Sequence, residues 1–353
     1  MLVPDTKSLL ILANDADQWQ PEQLDPILMR QTVPVFGGIF PELIYAGQQL
    51  KQGTLVVGLN VIPDLVVIEN LSQGRESITA QLEQQSSVIK KEKSLITIVD
   101  GLAENIERFI EGLYGITGQN STTLGCGAGS LDFVQKPCLF SNKGMICDAA
   151  LVAGIPTPFK LGLSHGWQVL EGPYLVTNSN GNILETLNYS PAFDVYREHI
   201  EKNAGVNFDE HDFFDIAKTY PLGVENLAGE ILVRDPIVLE NKSLVCVGEV
   251  PENSVVYLLK GTPESLISAA GGAAKLAYET HGLVDNEDSS VLLFDCISRA
   301  LFLDDTFDRE LKSIEKSLNG YGEVFGALTL GEIGNSINGP IEWLNKSTAI
   351  AVF

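Results

Sequence analysis

The chain has 353 residues, with 23 Lys and Arg against 46 Asp and Glu, a formal charge of −23. That excess of acid excludes nucleic acid and anionic lipid surfaces as partners, because both are bound through clusters of Lys and Arg that release counterions. No apolar run approaches the roughly 20 residues needed to span a bilayer, and at about 150 residues per domain the length predicts two domains.

In chain order, residues 8–13 read as an apolar strand, too short for a signal sequence and ending in Asn14-Asp15. Val35-Phe36-Gly37-Gly38-Ile39 reads as a second strand and residues 54–59 as a third. The densest basic stretch, Lys90-Lys91-Glu92-Lys93, reads as a solvated helix end. Residues 94–99 then form a strand ending at Asp100. Residues 100–113 follow as a helix whose stripe is Leu102, Ile106, Phe109, Ile110 and Leu113. Residues 122–129 carry Gly125-Cys126-Gly127 in a strand, and residues 147–155 close the unit.

The middle of the chain differs. Residues 173–177 and 183–187 flank Asn178-Ser179-Asn180-Gly181-Asn182, a hairpin signal in which Asn-Gly supplies the positive φ angles. Residues 190–203 and 208–216 read as helices, and Thr262-Pro263-Glu264 as a helix start with Thr as its N-cap. Towards the end, the strand closing on Asp295 precedes a helix with the stripe Phe307, Leu311, Ile314 and Leu318. Val324-Phe325-Gly326-Ala327-Leu328 and residues 347–353 follow as strands. Strand, helix, strand, strand or hairpin, strand thus occurs three times, each first strand ending on an acid (Asp15, Asp100, Asp295). A domain boundary is expected near residue 200, giving 1–200 and 201–353.

Several short motifs invite chemistry. Gly162-Leu163-Ser164-His165-Gly166 matches the nucleophile elbow G-x-S-x-G, but the residues that follow cannot form the helix that the elbow requires. Gly125-Cys126-Gly127-Ala128-Gly129-Ser130 resembles a dinucleotide fingerprint without the helix that holds pyrophosphate, so small residues at a close strand crossing are the plainer reading. His165, His199, His211 and His281 are too scattered for a local zinc motif; His165, beside Trp167, is the one placed to donate to a ligand. The five Cys are an odd number with no C-x-x-C pair, which fits free thiols in a reducing cytoplasm. Cys126 and Cys296 fall at strand ends. Arg299 and Glu332 are charges inside apolar stretches, either paired internally or lining a cleft where the guanidinium would take a carboxylate.

Longer blocks resemble a known family. Gly166-Trp167 … Gly172-Pro173 … Val176-Thr177-Asn178 … Gly181-Asn182, continued by Ser190-Pro191-Ala192-Phe193-Asp194-Val195-Tyr196, is similar to the FIST N pattern. Tyr220-Pro221-Leu222-Gly223 and Val233-Arg234-Asp235-Pro236 resemble the opening of FIST C. Asp295-Cys296-Ile297-Ser298-Arg299 and Gly326 … Thr329-Leu330-Gly331-Glu332-Ile333 resemble its two most recognisable blocks. The resemblance, over about residues 30–353, implies a sensory role in signal transduction. The small ligands it implies include amino acids, and a separate signalling protein would act as output partner. It implies no catalytic residues, and haem as cofactor only in some members.

The expected architecture is α/β, with repeated β-α-β-β-β units in mixed, mostly antiparallel sheets and outer helices. It is organised as two pseudo-repeated halves that could stack in four layers, αββα. The expected ligand site lies between the halves and comprises Gly37, Gly38, Gly125, Cys126, His165, Trp167, Cys296, Arg299 and Glu332. The function expected first is a small-ligand sensor in the cytoplasm. Its rivals are a haem-based gas sensor using His165 and an enzyme acting through Cys126, Ser164 or Cys296.

Overall fold

A computed structural model describes residues 5–226, 229–281, 290–335 and 339–353. The central strands are buried along nearly their whole length rather than alternating, because both faces of their sheets are covered. All seven residues of Ser94–Asp100 are buried, for example.

One pairing pattern occurs three times. Ser8–Asn14 lies between a parallel strand, Val35–Phe40, and an antiparallel one, Thr54–Leu59. Ser94–Asp100 lies likewise between Thr122–Ala128 and Ala149–Ile155, and Ser290–Cys296 between Glu323–Thr329 and Thr348–Val352. A helix links each parallel pair: Pro21–Leu28, Ile106–Thr117 and Phe307–Ser317.

The glycines shared by these units have a physical cause. Gly37, Gly125 and Gly326 pair with Ile11, Thr97 and Leu293. A Cβ at each would lie 1.9, 2.3 and 1.7 Å from the partner's carbonyl oxygen. Only a residue without a side chain lets the neighbouring backbone come so close. This register also corrects the alignment expected from sequence. Three residues beyond those partners stand Asn14, Asp100 and Cys296, so the acids Asp15, Asp100 and Asp295 are not equivalent positions.

Each unit sends a hairpin to another unit's sheet. Glu42–Tyr45 and Gln48–Leu50, from the first unit, pair along Glu323–Thr329 of the third. Leu139–Ser141 and Gly144–Ile146, from the second, pair along Val35–Phe40 of the first. Glu332–Asn335 and Ile341–Leu344, from the third, pair along Thr122–Ala128 of the second. The exchange is cyclic.

The inner faces of the three mixed sheets share one core that includes Leu10, Leu12, Ile96, Ile98, Leu292 and Phe294. Helices cover the outer faces. Ile106–Thr117 buries Phe109, Ile110 and Leu113 against the second sheet, while Pro263–His281 and Phe307–Ser317 cover the third. The chain is thus a mixed α/β protein with outer helices, as its sequence pattern predicts.

Between the second and third units, six strands close an antiparallel ring. Its order is Gln168–Asn180, Val255–Lys260, Leu222–Glu225, Ile231–Glu240, Ser243–Val247, Ile183–Leu187 and back to Gln168–Asn180. The helix Ala192–Ala204 packs on it through Tyr196 and Ile200, and the Tyr196 hydroxyl donates to the Tyr220 carbonyl at 2.6 Å. Residue 200 therefore falls inside a helix.

Local differences from the sequence reading are small. The hairpin turn is Gly181-Asn182, with Asn180 opposite Ile183, so positive φ falls on Gly181 alone (59°). The second helix of this region is only Phe213–Ala217. The helix expected from residue 100 starts at Ile106, because the strand runs on to Asp100 and a loop follows it. Thr262 does cap its helix: its Oγ1 accepts from Ser265 N–H, whose hydroxyl accepts from Thr262 N–H. No described helix is long and apolar enough to cross a membrane.

Candidate functional site

Strand ends are where an α/β sheet leaves room for a ligand, because the chain turns away in opposite directions on either side of a parallel pair. A cleft of about 680 Å³ opens there, at the carboxyl ends of Ser94–Asp100 and Ser290–Cys296, facing one side of the antiparallel ring. The first unit's strand end is not part of it.

Its walls come from across the chain. Gly101 to Glu107 lead into the helix Ile106–Thr117, and Gly181-Asn182 form the ring's hairpin turn. Asp235 and Ile237 lie mid-strand in the ring, with Cys296 to Ser298, Leu330-Gly331, Trp343 and Asn345 opposite. Phe133, Leu131, Phe214 and Leu301 are large apolar side chains that stay exposed at the lining, Phe133 by 58%. Apolar groups left in water around a concave site are typical of ligand pockets.

The polar groups of the cleft are one-sided. Glu104, Glu107, Glu249 and Asp235 line it, and among the described residues no Lys or Arg does. Burial and the neighbouring Glu107 both push the Glu249 carboxyl up. Asp235 is 1% exposed, and its Oδ2 is 3.0 Å from the buried Lys346 Nζ. Lys346 and the Ser298 hydroxyl both favour the Asp235 carboxylate, but burial outweighs them and raises its pKa. The Asn345 amide donates to Leu344 O, while its Oδ1, also buried, has no partner. Buried acceptors are normally satisfied, so an amide oxygen left open beside a buried carboxylate at one cleft is a signal.

Of the nine residues expected from sequence, Cys296 lines the cleft. Burial and the Glu332 charge push its thiol well up, which keeps it from the thiolate form that attacks. Gly37 and Gly38 sit inside Val35–Phe40, and Gly125 and Cys126 inside Thr122–Ala128, all buried. Cys126 pairs in register with Glu332.

Arg299 is 0% exposed and spends all five N–H donors inside the protein. Nε and one Nη donate to Glu310 at 3.0 and 2.6 Å, and the remaining donors reach the carbonyls of His165, Lys346 and Leu266. Asp295 Oδ1 lies 3.1 Å from Nε. Arg234 donates from Nε and one Nη, to the carbonyls of Glu249, Val233 and Trp343.

His165, Trp167, Arg299 and Glu332 do come together, on the segment 345–348. Trp167 Nε1 donates to Lys346 O at 3.1 Å, and its ring lies 5.1 Å from Lys346 Nζ. Glu332 accepts from the Ser347 and Thr329 hydroxyls at 2.6 Å each and from Ser347 N–H. Burial outweighs these bonds and pushes the Glu332 carboxyl up to about 8.

His165 Nδ1 accepts from Trp167 N–H, and burial together with the Arg299 cation lowers its pKa to about 4. A ring pressed by a fixed guanidinium, and absent from the cleft lining, does not fit a haem iron ligand. Ser164 ends a strand paired with Thr348–Val352 rather than an elbow. Gly162 and Gly166 let the helix Pro263–His281 approach, since a Cβ at either would meet the Ala273 or Ser265 carbonyl oxygen at 1.9 or 2.7 Å. The side chain of His281 lies outside the described residues. Among the described residues no three of His, Cys, Asp and Glu are grouped to hold a metal ion.

Sequence reasoning missed Glu310, Asp235, Asn345 and Lys346 as members of these clusters. Glu310 had a signal: it stands three residues after Phe307 and four before Ile314, on the apolar stripe, and is 0% exposed.

The family comparison agrees with this layout. Residues 9–190 match the FIST N domain and residues 192–335 the FIST C domain. The cleft takes residues from both matched segments. No curated protein matches the chain. With the FIST N match alone spanning more than half of its length, the chain belongs to the FIST family of sensory signal-transduction domains.

Proposed function

We propose that the protein is a sensory module whose cleft binds a small molecule with an apolar body and a cationic or hydrogen-bond-donating head, a primary amine being the simplest case. The observation that carries this reading is a pair of buried acceptors at the cleft: the Asp235 carboxylate, held by the single cation Lys346, and Asn345 Oδ1, which has no partner. A donor arriving there satisfies the Asn345 oxygen, whose isolation costs about 1–3 kcal/mol. The acidic lining and the net charge of −23 favour a cation and oppose an anion. A free amino acid fits with its ammonium at Asp235 and its side chain against Leu301 and Phe133. Its carboxylate would have to be met by backbone N–H groups, since among the described residues no Lys or Arg lines the cleft. The module acts in the cytoplasm, where five free thiols persist, and a separate signalling protein reads the bound state.

Calorimetry on the full chain tests this with matched series of alkylamines, alkylcarboxylates and amino acids. Amines and amino acids are expected to bind, carboxylates are not, and Asp235→Asn is expected to weaken amine binding at least about tenfold. Equal binding of carboxylates, or no loss in Asp235→Asn, overturns the assignment.

A further inference from the structure

The acceptors of the cleft stand at two separate places. One holds Asp235 and the open amide oxygen of Asn345. The other holds Glu104, Glu107 and Glu249, where the start of the helix Ile106–Thr117 meets the antiparallel ring. Gly248 makes that meeting possible. Its φ is 85°, and a Cβ there would come 3.0 Å from Arg234 Nε and 3.2 Å from Glu107 Oε1.

The second place is held in position by its own bonds. Glu107 Oε1 accepts from Glu249 N–H at 2.8 Å, and Glu249 Oε2 lies 3.3 Å from an Arg108 Nη. Among the described residues no hydrogen bond reaches the second oxygen of either carboxylate. Glu111 and Glu342 bear on the same groups, so five carboxylates surround the two guanidiniums of Arg108 and Arg234. The balance is negative, and a cation offsets it.

Strand register fixes how far this place is from the first. Asp235 pairs with Val247, and Glu249 follows two residues later. Opposite residues of an antiparallel pair share one face, and two residues of chain span at most about 7 Å. Val247, half-buried and lining the cleft, lies between the two places and offers apolar surface there.

We infer that the ligand is a linear diamine: one ammonium shared by Asp235 and Asn345 Oδ1, a short methylene chain over Val247, and the other ammonium on Glu107 and Glu249. This rests on the amine reading above and extends it from one cationic head to two. A ligand with a single ammonium leaves one of the two places without its counter-charge.

Calorimetry on the full chain compares pentylamine with cadaverine, the terminal diamine of pentane, which differs by one added ammonium. Cadaverine is expected to bind at least about tenfold tighter. The terminal diamine of propane carries the same charge on a chain too short for both places, and is expected to lose most of that advantage. That arm separates a fitted dication from general attraction to a net charge of −23. Glu249→Gln is expected to bring cadaverine and pentylamine to within about threefold of each other, with a melting curve to show that the variant is folded; the comparison on the wild-type chain needs no variant. If cadaverine binds no tighter than pentylamine, if the propane diamine matches it, or if folded Glu249→Gln keeps the full difference, the inference falls while the single-amine reading stands. If neither amine binds, both fall.

Discussion

Arg299 and Asp235 are both buried charges near the segment 345–348, and they are finished to different degrees. The guanidinium has a partner for every donor: two carboxylates and three backbone carbonyls, drawn from five separate stretches of chain. The Asp235 carboxylate has one cation, Lys346, and the Ser298 hydroxyl, and Asn345 Oδ1 on the same cleft has no partner at all. A complete donor–acceptor set describes a fastener. An incomplete one, open to a cleft, describes a place where a partner from outside is expected. Charge inside an apolar stretch does not distinguish the two; counting partners does.

The largest expected effect breaks the finished side. Arg299→Ala leaves Glu310 and Asp295 buried without their cation and should cost about 3–5 kcal/mol in denaturant unfolding. A loss below about 1 kcal/mol would mean that the cluster is no fastener. Gly326→Ala is next: its Cβ would come 1.7 Å from Leu293 O, so the parallel strands must part, and a loss of about 1–3 kcal/mol or more is expected in the same assay.

A smaller effect depends on pH. Burial raises the Glu332 carboxyl from 4.5 to about 8. Its contribution to stability is therefore complete below about pH 4.5 and is lost as pH rises towards 8. Relative to Glu332→Gln, the wild-type protein should lose melting temperature steadily between pH 5 and 8, and a constant difference would show that Glu332 does not titrate there. The smallest effect belongs to the unfinished side. Phe133→Ser, at an exposed apolar position of the cleft, should change stability by no more than about 0.5 kcal/mol while weakening amine binding measured by calorimetry. Equal affinity in that variant would remove Phe133 from the binding surface.

Much of the secondary structure was legible because it rests on local signals. The strand runs, the amphipathic stripe of Ile106–Thr117 and the capped start at Thr262 all lie where residue patterns place them. The recurrence of Val-Phe-Gly was legible too, since each Gly answers to one neighbouring carbonyl. Partner choice was not. Nothing in Glu42–Tyr45 says that its neighbour is Glu323–Thr329, because antiparallel pairing reads alternation and not identity. The cleft was legible only as a region near strand ends. Asp235 stands out by its burial and Asn345 by the bond it lacks, which are properties of the folded surroundings. Arg299 looked like a carboxylate receptor because its two acids are 4 and 11 residues away and its three carbonyl partners 33 to 134.

The cyclic hairpin exchange also governs how the protein reaches its native state. Glu42–Tyr45 must wait for Glu323–Thr329, and Leu124 to Cys126 for Glu332 to Gly334, each more than 200 residues later in the chain. Closing such loops takes entropy before any pairing rewards it, so refolding should be slow for a chain of this size. During synthesis, none of the three mixed sheets can take its last strand early: the first waits for residue 146, and the second and third wait for strands near the end of the chain. Until then Val35–Phe40 and Thr122–Ala128 present apolar edges, which leaves the incomplete chain open to misassembly.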